Sequence, residues 1–202
     1  MTQTIILNGS SSAGKTTLAT KLQQLLPEPW QYLGLDQYRD GMPQRVRGLN
    51  APAGSEGSLG LNVVPVTNSL TAIEFGPYGD RVLSCMRQSV GLFNRQGISV
   101  IVDDLLLKPD YVDDYLTSLN LDQTWLIGVH CAAEVLNQRE LARPGRFPGT
   151  AIEHQQRVHE WLYTYDLEVD TTDCSPRQLA EAVIARLQTP PQALRSMQAA
   201  RS

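Results

Sequence analysis

Short apolar runs alternate with longer segments of helical character along most of the chain. The apolar runs, each short enough to form a buried strand, lie at about residues 4–7, 31–35, 99–102, 125–129 and 167–169. Helices are predicted at about residues 18–26, 82–93, 134–142 and 176–187. Because strands that alternate with helices form parallel sheets covered on both faces, the pattern predicts an α/β fold.

The length of the chain, 202 residues, suits one domain with a small insertion. We expect that domain to span residues 1–188. Residues 44–69 interrupt the alternation with many glycine, alanine, proline and serine residues, and they are predicted to form a loop or hairpin insertion. Residues 189–202 begin with Thr189, Pro190 and Pro191 and are predicted to form a flexible, peripheral tail.

Charge and cysteine content restrict the classes of partner. The 17 basic and 21 acidic residues give a net charge of −4, which argues against a broad cationic surface for nucleic acids or anionic membranes. No apolar run approaches the roughly 18 residues that a membrane span needs. The chain starts without a signal-peptide pattern, and its three cysteines form no C-x-x-C pair. We therefore expect a cytoplasmic protein with no nucleic-acid or membrane partner, whose oligomeric state the sequence leaves open.

A complete phosphate-binding motif follows the first predicted strand. Residues 9–16 match G-x-x-x-x-G-K-[ST], in which glycines let backbone N–H groups converge on phosphate oxygens at a helix N-terminus. Lys15 would reach the β- and γ-phosphates, and the Thr16 hydroxyl would bind Mg²⁺. The alternative is a purely structural glycine turn. The predicted nucleotide-binding residues are Gly9, Ser10, Ser11, Ser12, Ala13, Gly14, Lys15, Thr16 and Thr17.

Two acidic residues end the strand predicted at residues 99–102. The apolar run 100–102 followed by Asp103 and Asp104 has the form of a Walker B strand, whose carboxylate holds Mg²⁺ directly or through water. The alternative is a helix N-cap, a position that aspartate also favours. The sequence does not decide which of the two carboxylates would serve the metal.

Three arginines lie close together after the helix predicted at residues 134–142. Arg139, Arg143 and Arg146 are interspersed with prolines and glycines, so that residues 139–150 are predicted to form a lid. Arg139 and Arg143 would then neutralise charge on the transferring phosphoryl group. The alternative is a solvated, arginine-rich helix end.

Asp36 directly follows the second predicted strand. In a parallel sheet this end opens on the same side as the phosphate loop, so the carboxylate could accept the proton of an acceptor hydroxyl. If a helix starts here, Asp40 shares a face with Asp36. A helix cap is the competing role for Asp36, and spacing alone leaves the two roles level. His130, His154 and His159 show no metal-ligand spacing, and the last two are expected on a helix surface.

The assembled motifs resemble the chloramphenicol phosphotransferase family of P-loop kinases. The resemblance covers about residues 4–187, and its most specific strings are Leu-Pro-Glu-Pro-Trp at 26–30 and Glu-Val-Asp-Thr-Thr at 168–172. It implies a P-loop NTPase three-layer sandwich similar to nucleoside monophosphate kinases, with a five-stranded parallel sheet in the order 2-3-1-4-5. It also implies ATP, Mg²⁺, transfer of the γ-phosphoryl group to a small-molecule hydroxyl, and Asp36 as the base. The stretch 44–69 and the tail beyond Leu187 depart from the family pattern, so the resemblance does not specify the acceptor.

Other functions that use a phosphate loop remain as alternatives. A switch GTPase needs N-K-x-D and D-x-x-G, and the chain has neither. A nucleotide or metabolite kinase with another acceptor is one alternative, and a non-catalytic ATP-binding module is the other. An acceptor-dependent release of ADP separates the enzymes from the module.

Overall fold

A computed structural model of the chain describes residues 2–66, 70–143, 145, 147–161 and 164–201. The strands are β1 (Thr4–Gly9), β2 (Trp30–Gly34), β3 (Arg47–Leu49), β4 (Leu61–Pro65), β5 (Thr71–Phe75), β6 (Ser99–Asp104), β7 (Thr124–His130) and β8 (Leu167–Asp170). The α-helices are α1 (Lys15–Leu25), α2 (Leu35–Asp40), α3 (Pro77–Arg95), α4 (Asp113–Ser118), α5 (Ala133–Leu141), α6 (Thr150–Val158), α7 (Pro176–Arg186) and α8 (Ala193–Arg201).

Five parallel strands form the central sheet, in the order β2-β6-β1-β7-β8. Counted within this sheet alone, the order is 2-3-1-4-5, so the fold that the resemblance implied is confirmed. The register places Asn8 beside Asp104 and Gly34 beside Asp103. The carboxyl ends of β1, β2 and β6 therefore meet at one edge of the sheet, where ligands of open α/β sheets bind.

The two faces of the sheet bury separate apolar clusters, which gives the three layers. Ile5 and Leu7 of β1 pack with residues of α1 and α7, whereas Ile6 between them packs with residues of α3 and α4. This division follows from the strand itself, because successive side chains point to opposite faces. Among the described helices, none is both long and apolar enough to cross a bilayer.

A second, smaller sheet occupies the stretch predicted as an insertion and continues to Phe75. Its order is β3-β4-β5, with β4 and β5 antiparallel and β3 parallel to β4. Residues 67–69, which belong to the predicted insertion, lie outside the described residues. Val63, Ile73 and Phe75 are buried with α2 and α3, so that the small sheet packs onto the main domain.

The carboxyl-terminal residues form a packed helix, so the expectation of a flexible tail is wrong for most of them. Helix α8 begins at Ala193, and Leu194 is buried against the same cluster as α3 and α4. The backbone N–H groups of Gln192 and Ala193 donate to the Asp166 carboxylate, 2.7 and 3.2 Å away. Burial of apolar side chains and a cap from a distant residue thus hold this segment in place.

Candidate active site

The phosphate loop connects β1 to α1 as its motif predicts. Gly14, the residue before α1, has φ 90°, and Ser12 has φ 62°. Both lie in the left-handed region, which glycine adopts without strain, so Gly14 supplies the freedom expected of it. Gly9 serves another purpose, because its φ is not positive and a Cβ atom there would lie 2.3 Å from the Val129 carbonyl oxygen. This glycine is required for close packing between β1 and β7.

Lys15 lies inside the loop rather than in solvent. Its ammonium group donates to the carbonyl oxygens of Gly9 and Ser10, each at 2.9 Å, and lies 3.5 Å from the Asp103 carboxylate. Within the part of the chain that the structure describes, the buried Ser12 hydroxyl has no hydrogen-bond partner. A buried polar group without a partner costs stability, and phosphate oxygens would satisfy it. The loop therefore fits a polyphosphate.

The Asp103 carboxylate faces the phosphate loop. It accepts a hydrogen bond of 2.6 Å from the Thr16 hydroxyl and one of 3.1 Å from the Tyr32 hydroxyl. Burial and the nearby Asp103 charge raise the pKa of Tyr32 above its ordinary value, so this phenol remains a donor. Hydroxyl and carboxylate oxygens are the ligands that Mg²⁺ prefers, so Thr16 and Asp103 fit the predicted metal site.

Asp104 also borders the cavity that contains the phosphate loop, but its carboxylate is held by side chains of α3 and α4, and its expected role as a metal ligand does not fit the structure. Its carboxylate is completely buried and paired with Arg87, at 2.7 Å to Nε and 3.2 Å to Nη2. The Tyr115 hydroxyl and the Leu105 backbone N–H also donate to it, at 2.8 and 2.7 Å. Burial alone would raise the pKa of Asp104, but these partners, Arg87 above all, hold it below its ordinary value. The carboxylate is committed to the fold.

One cavity of about 440 Å³ joins the phosphate loop to the rest of the candidate site. Residues 11–18 and Asp103 line one part of it. Other wall residues come from α2, β5, the end of β6 and the residue after it, and α6, and they include Leu35, Asp36, Arg39, Ile73, Phe75, Asp104, Leu105 and His154. Its size is that of a small-molecule site, and its wall combines apolar side chains with a few polar ones.

Asp36 lies in the cavity wall, in the first turn of α2. The N-cap position of this helix is Gly34, so Asp36 is not the cap that the alternative interpretation required. Its carboxylate accepts a bond of 2.6 Å from Arg39, which also binds Asp40 at 2.9 Å. Arg39 thus orients Asp36, while Asp40 does not line the cavity.

The predicted lid arginines have different surroundings. Arg139 is not a solvated helix end, because its guanidinium donates to the Thr171 hydroxyl at 2.9 Å and carbonyl at 2.8 Å. Arg143 is exposed and lines the cavity. Arg146 lies outside the described residues. The structure therefore brings both Arg139 and Arg143 into the wall of the cavity that contains the phosphate loop.

Sequence reasoning missed one residue of the cavity wall, His154, and one residue that supports it, Glu140. His154 is on a helix, as expected, but it is 1% exposed and lines the cavity instead of the helix surface. Glu140 is buried and accepts the backbone N–H groups of Gly149 and Ala151, both at 2.7 Å, at the start of α6. Neither residue carries a local motif, and only the position of Glu140 next to Arg139 hinted at a role.

His130, at the end of β7, and His159, at the end of α6, form a histidine pair. The rings of His130 and His159 stack with centroids 4.1 Å apart. His159 also pairs with the Tyr165 hydroxyl at 2.6 Å, to which Asn8 of β1 donates at 2.8 Å. Burial, with the nearby charges of His130 and Lys15, lowers the pKa of His159 to about 4. His159 is therefore neutral at pH 7.

Comparisons with known proteins agree with this geometry. A "Putative O-phosphotransferase" of Mycobacterium tuberculosis is 30% identical over 176 residues, which are 87% of this chain and 78% of that protein. The unliganded structure of a sugar kinase from Janibacter covers 93% of this chain and 95% of its own, with 19% identity and a TM-score of 0.64. The APS kinase of Mycobacterium tuberculosis, solved with AMPPNP and APS, covers 93% and 98%, with 14% identity and a TM-score of 0.61. These structures share the P-loop kinase fold.

The family described as "Chloramphenicol phosphotransferase-like protein" matches residues 2–188. This span contains the phosphate loop, Asp36, Asp103, Arg139 and Arg143. The chain belongs to the chloramphenicol phosphotransferase-like family.

Proposed function

We propose that the protein is an ATP-dependent phosphotransferase that moves the γ-phosphoryl group to a hydroxyl of a small molecule. The observation that carries this proposal is the single cavity that contains the phosphate loop, Asp103 and Asp36 together. A nucleotide-binding module needs the phosphate loop and Asp103 but has no use for a second carboxylate, Asp36, in the same cavity. Phosphoryl transfer needs all of them, because catalysis consists mainly of positioning the two substrates and stabilising charge.

The residues near the phosphate loop would bind and orient the nucleotide. Backbone N–H groups of the loop and the Lys15 ammonium bind its phosphate oxygens. Thr16 and Asp103 would hold Mg²⁺, which when bound neutralises charge on the β- and γ-phosphates. Arg139 and Arg143 add positive charge in the wall of the same cavity, where it would stabilise the negative charge that spreads over the transferring group.

Asp36 would receive the proton of the attacking hydroxyl. Arg39 holds the carboxylate in the cavity wall, so that it can orient the hydroxyl and accept its proton as the bond to phosphorus forms. The loose transition state demands only modest help from a base, so positioning is the larger contribution. Leu35, Ile73 and Phe75 add apolar surface around this carboxylate. An acceptor with an apolar face beside its hydroxyl therefore fits this wall.

The test is release of ADP in the presence of Mg·ATP and a panel of hydroxyl compounds that includes antibiotics, nucleosides and sugar-like alcohols. We expect at least one compound to release ADP and to gain a phosphoryl group detectable by mass spectrometry. Asp36→Asn should lower kcat by about 100-fold and keep nucleotide binding, because the carboxylate touches the acceptor and not ATP.

Asp40→Asn is the matched control, since it also removes a carboxylate from Arg39 but lies outside the cavity. Its kcat should stay near that of the unmodified protein. Equal losses in the two variants would contradict the role of Asp36. Binding of Mg·ATP with no ADP released across the whole panel would favour the nucleotide-binding module.

A further inference from the structure

A ring of hydrogen bonds encloses the phosphate loop and passes through Glu140. On one side of the loop, the Thr171 hydroxyl donates to the Ala13 carbonyl oxygen at 2.8 Å. Arg139 donates to the same hydroxyl. On the other side, the Ser10 hydroxyl donates to the carbonyl oxygen of Ala151, in the first turn of α6. These contacts attach both ends of the loop to α5 and α6.

Glu140 closes the ring. It follows Arg139 in the chain, and its carboxylate accepts the backbone N–H of the same Ala151 whose carbonyl binds Ser10. The second carboxylate oxygen accepts the Gly149 N–H. The N-cap residue Gly149 has φ 84° and no side-chain cap, so this carboxylate replaces the missing cap. A negative charge here also matches the positive end of the helix dipole.

The helix held in this way carries part of the acceptor wall. His154 lies one turn after Ala151, is buried, and lines the same cavity as Asp36. At its other end, α6 is attached to β1, because the Asn8 side-chain amide donates to the Val158 carbonyl oxygen at 3.1 Å. A displacement of the first turn of α6 would therefore move His154 relative to the phosphate loop.

We propose that Glu140 is a positioning residue that holds the first turn of α6, and with it His154, in register with the phosphate loop. Nucleotide bound in the loop then orders α6 through Ser10 and Ala151, so that the acceptor wall is completed when the donor is in place. This inference rests on the proposed function, because it requires a nucleotide in the loop. Glu140 acts through α6 and does not itself line the cavity.

Hydrogen exchange followed by mass spectrometry, with Mg·AMPPNP as the probe, tests the inference on the full chain. In the unmodified protein, AMPPNP should slow exchange across Thr150–Val158 by about fivefold or more, the lower end of ordinary coupling between sites. In Glu140→Gln this slowing should fall below about twofold, while calorimetry shows an affinity for AMPPNP close to the original. The glutamine keeps the shape of the side chain but turns an –NH₂ group toward one backbone N–H, which loses its acceptor.

If Glu140 were a helix cap with only a structural role, its loss would lower the stability of the protein. The slowing of exchange in α6 by AMPPNP would then remain unchanged. Glu134→Gln is the matched control, because Glu134 is exposed on α5, the helix that also carries Glu140. It should keep both affinity and protection. Ser10→Ala opens the ring at the loop and should lose the protection in the same way, which keeps the test available if Glu140→Gln does not fold.

The outcomes separate the two proposals. If the unmodified protein does not bind Mg·AMPPNP, the proposed function and the role of Glu140 both fail. If it binds AMPPNP but exchange in α6 does not change, or if Glu140→Gln retains full protection, only the role of Glu140 fails.

Discussion

Asp103 and Asp104 are neighbours in sequence, but the structure predicts opposite consequences for the same substitution. Asp104→Asn removes the negative charge from a completely buried pair and leaves the buried Arg87 guanidinium without its nearest carboxylate. Asp103→Asn removes a carboxylate that faces the cavity, where Lys15 keeps its two carbonyl acceptors. We expect the first change to damage the fold and the second to damage nucleotide binding.

The magnitude for Asp104 follows from its contacts. Breaking one partner of a buried ion pair costs about 3–5 kcal/mol, because the remaining charge stays buried without compensation. Arg87 retains one further carboxylate, Asp114, with the nearest atoms 3.7 Å apart, which places the expected loss near the lower limit, at about 3 kcal/mol. Asparagine also presents an –NH₂ group to one of the donors that now bind the carboxylate. A domain with a stability of about 5–15 kcal/mol would survive this loss but unfold at much lower urea concentration.

Urea unfolding measured by circular dichroism, together with calorimetry of Mg·AMPPNP binding, tests both halves of the prediction. Asp103→Asn should lose about 1 kcal/mol or less of the free energy of unfolding, yet weaken Mg²⁺-dependent binding by on the order of tenfold. Arg87→Met combined with Asp104→Asn should cost less than the sum of the single changes, because each single change already breaks the pair. Equal stability losses in the two single variants, or a larger loss for Asp103→Asn, would refute the assignment.

Two other predictions concern the packing of β1 and the histidine at the end of α6. Gly9→Ala should lower the free energy of unfolding by about 1–3 kcal/mol, because the new Cβ atom meets the Val129 carbonyl oxygen. Gly41→Ala is the control, because its Cβ atom would have its nearest contacts at 3.6 Å, and it should change the free energy of unfolding by less than about 0.5 kcal/mol. Similar urea midpoints for the two variants would contradict this. The pKa of His159 is about 4 in the folded protein and 6.5 ordinarily, so the unfolded chain takes up the proton first as pH falls. The contribution of the neutral His159 ring to the free energy of unfolding is therefore complete above pH 6.5 and decreases as the pH falls to 4. We expect the decrease to be on the order of 1–2 kcal/mol, after allowance for solvent screening of the half-buried ring. His159→Asn, which keeps an acceptor for the Tyr165 hydroxyl, should show a flatter dependence of stability on pH in this window, and an unchanged slope would exclude His159 as its cause.

The parts of the site that the sequence predicted are those encoded in a few consecutive residues. The phosphate loop needs only a strand, a glycine at a positive φ and a helix start, and all of these lie within residues 4–25. The choice between Asp103 and Asp104 was not encoded in this way. Adjacent strand residues face opposite sides of a sheet, but β6 is apolar on both faces, so its pattern does not show which face belongs to the cavity. Arg87, sixteen residues before Asp103, decides this through its contact with Asp104.

The start of α6 and the whole of α8 escaped prediction for a shared physical reason. Helix starts are recognised by a capping side chain just before the first turn. Here the caps come from elsewhere, because Glu140 binds the start of α6 and Asp166 binds the N–H groups of Gln192 and Ala193 at the start of α8. Both carboxylates are buried, and a buried carboxylate must be compensated by donors. In this fold the donors include unsatisfied backbone groups at the start of a later helix, and Asp166 is also paired with Arg186. Each acid thus fixes the position of a segment that has no local start signal. The same arrangement that hid the start of α6 from sequence reasoning therefore places His154 in the cavity wall.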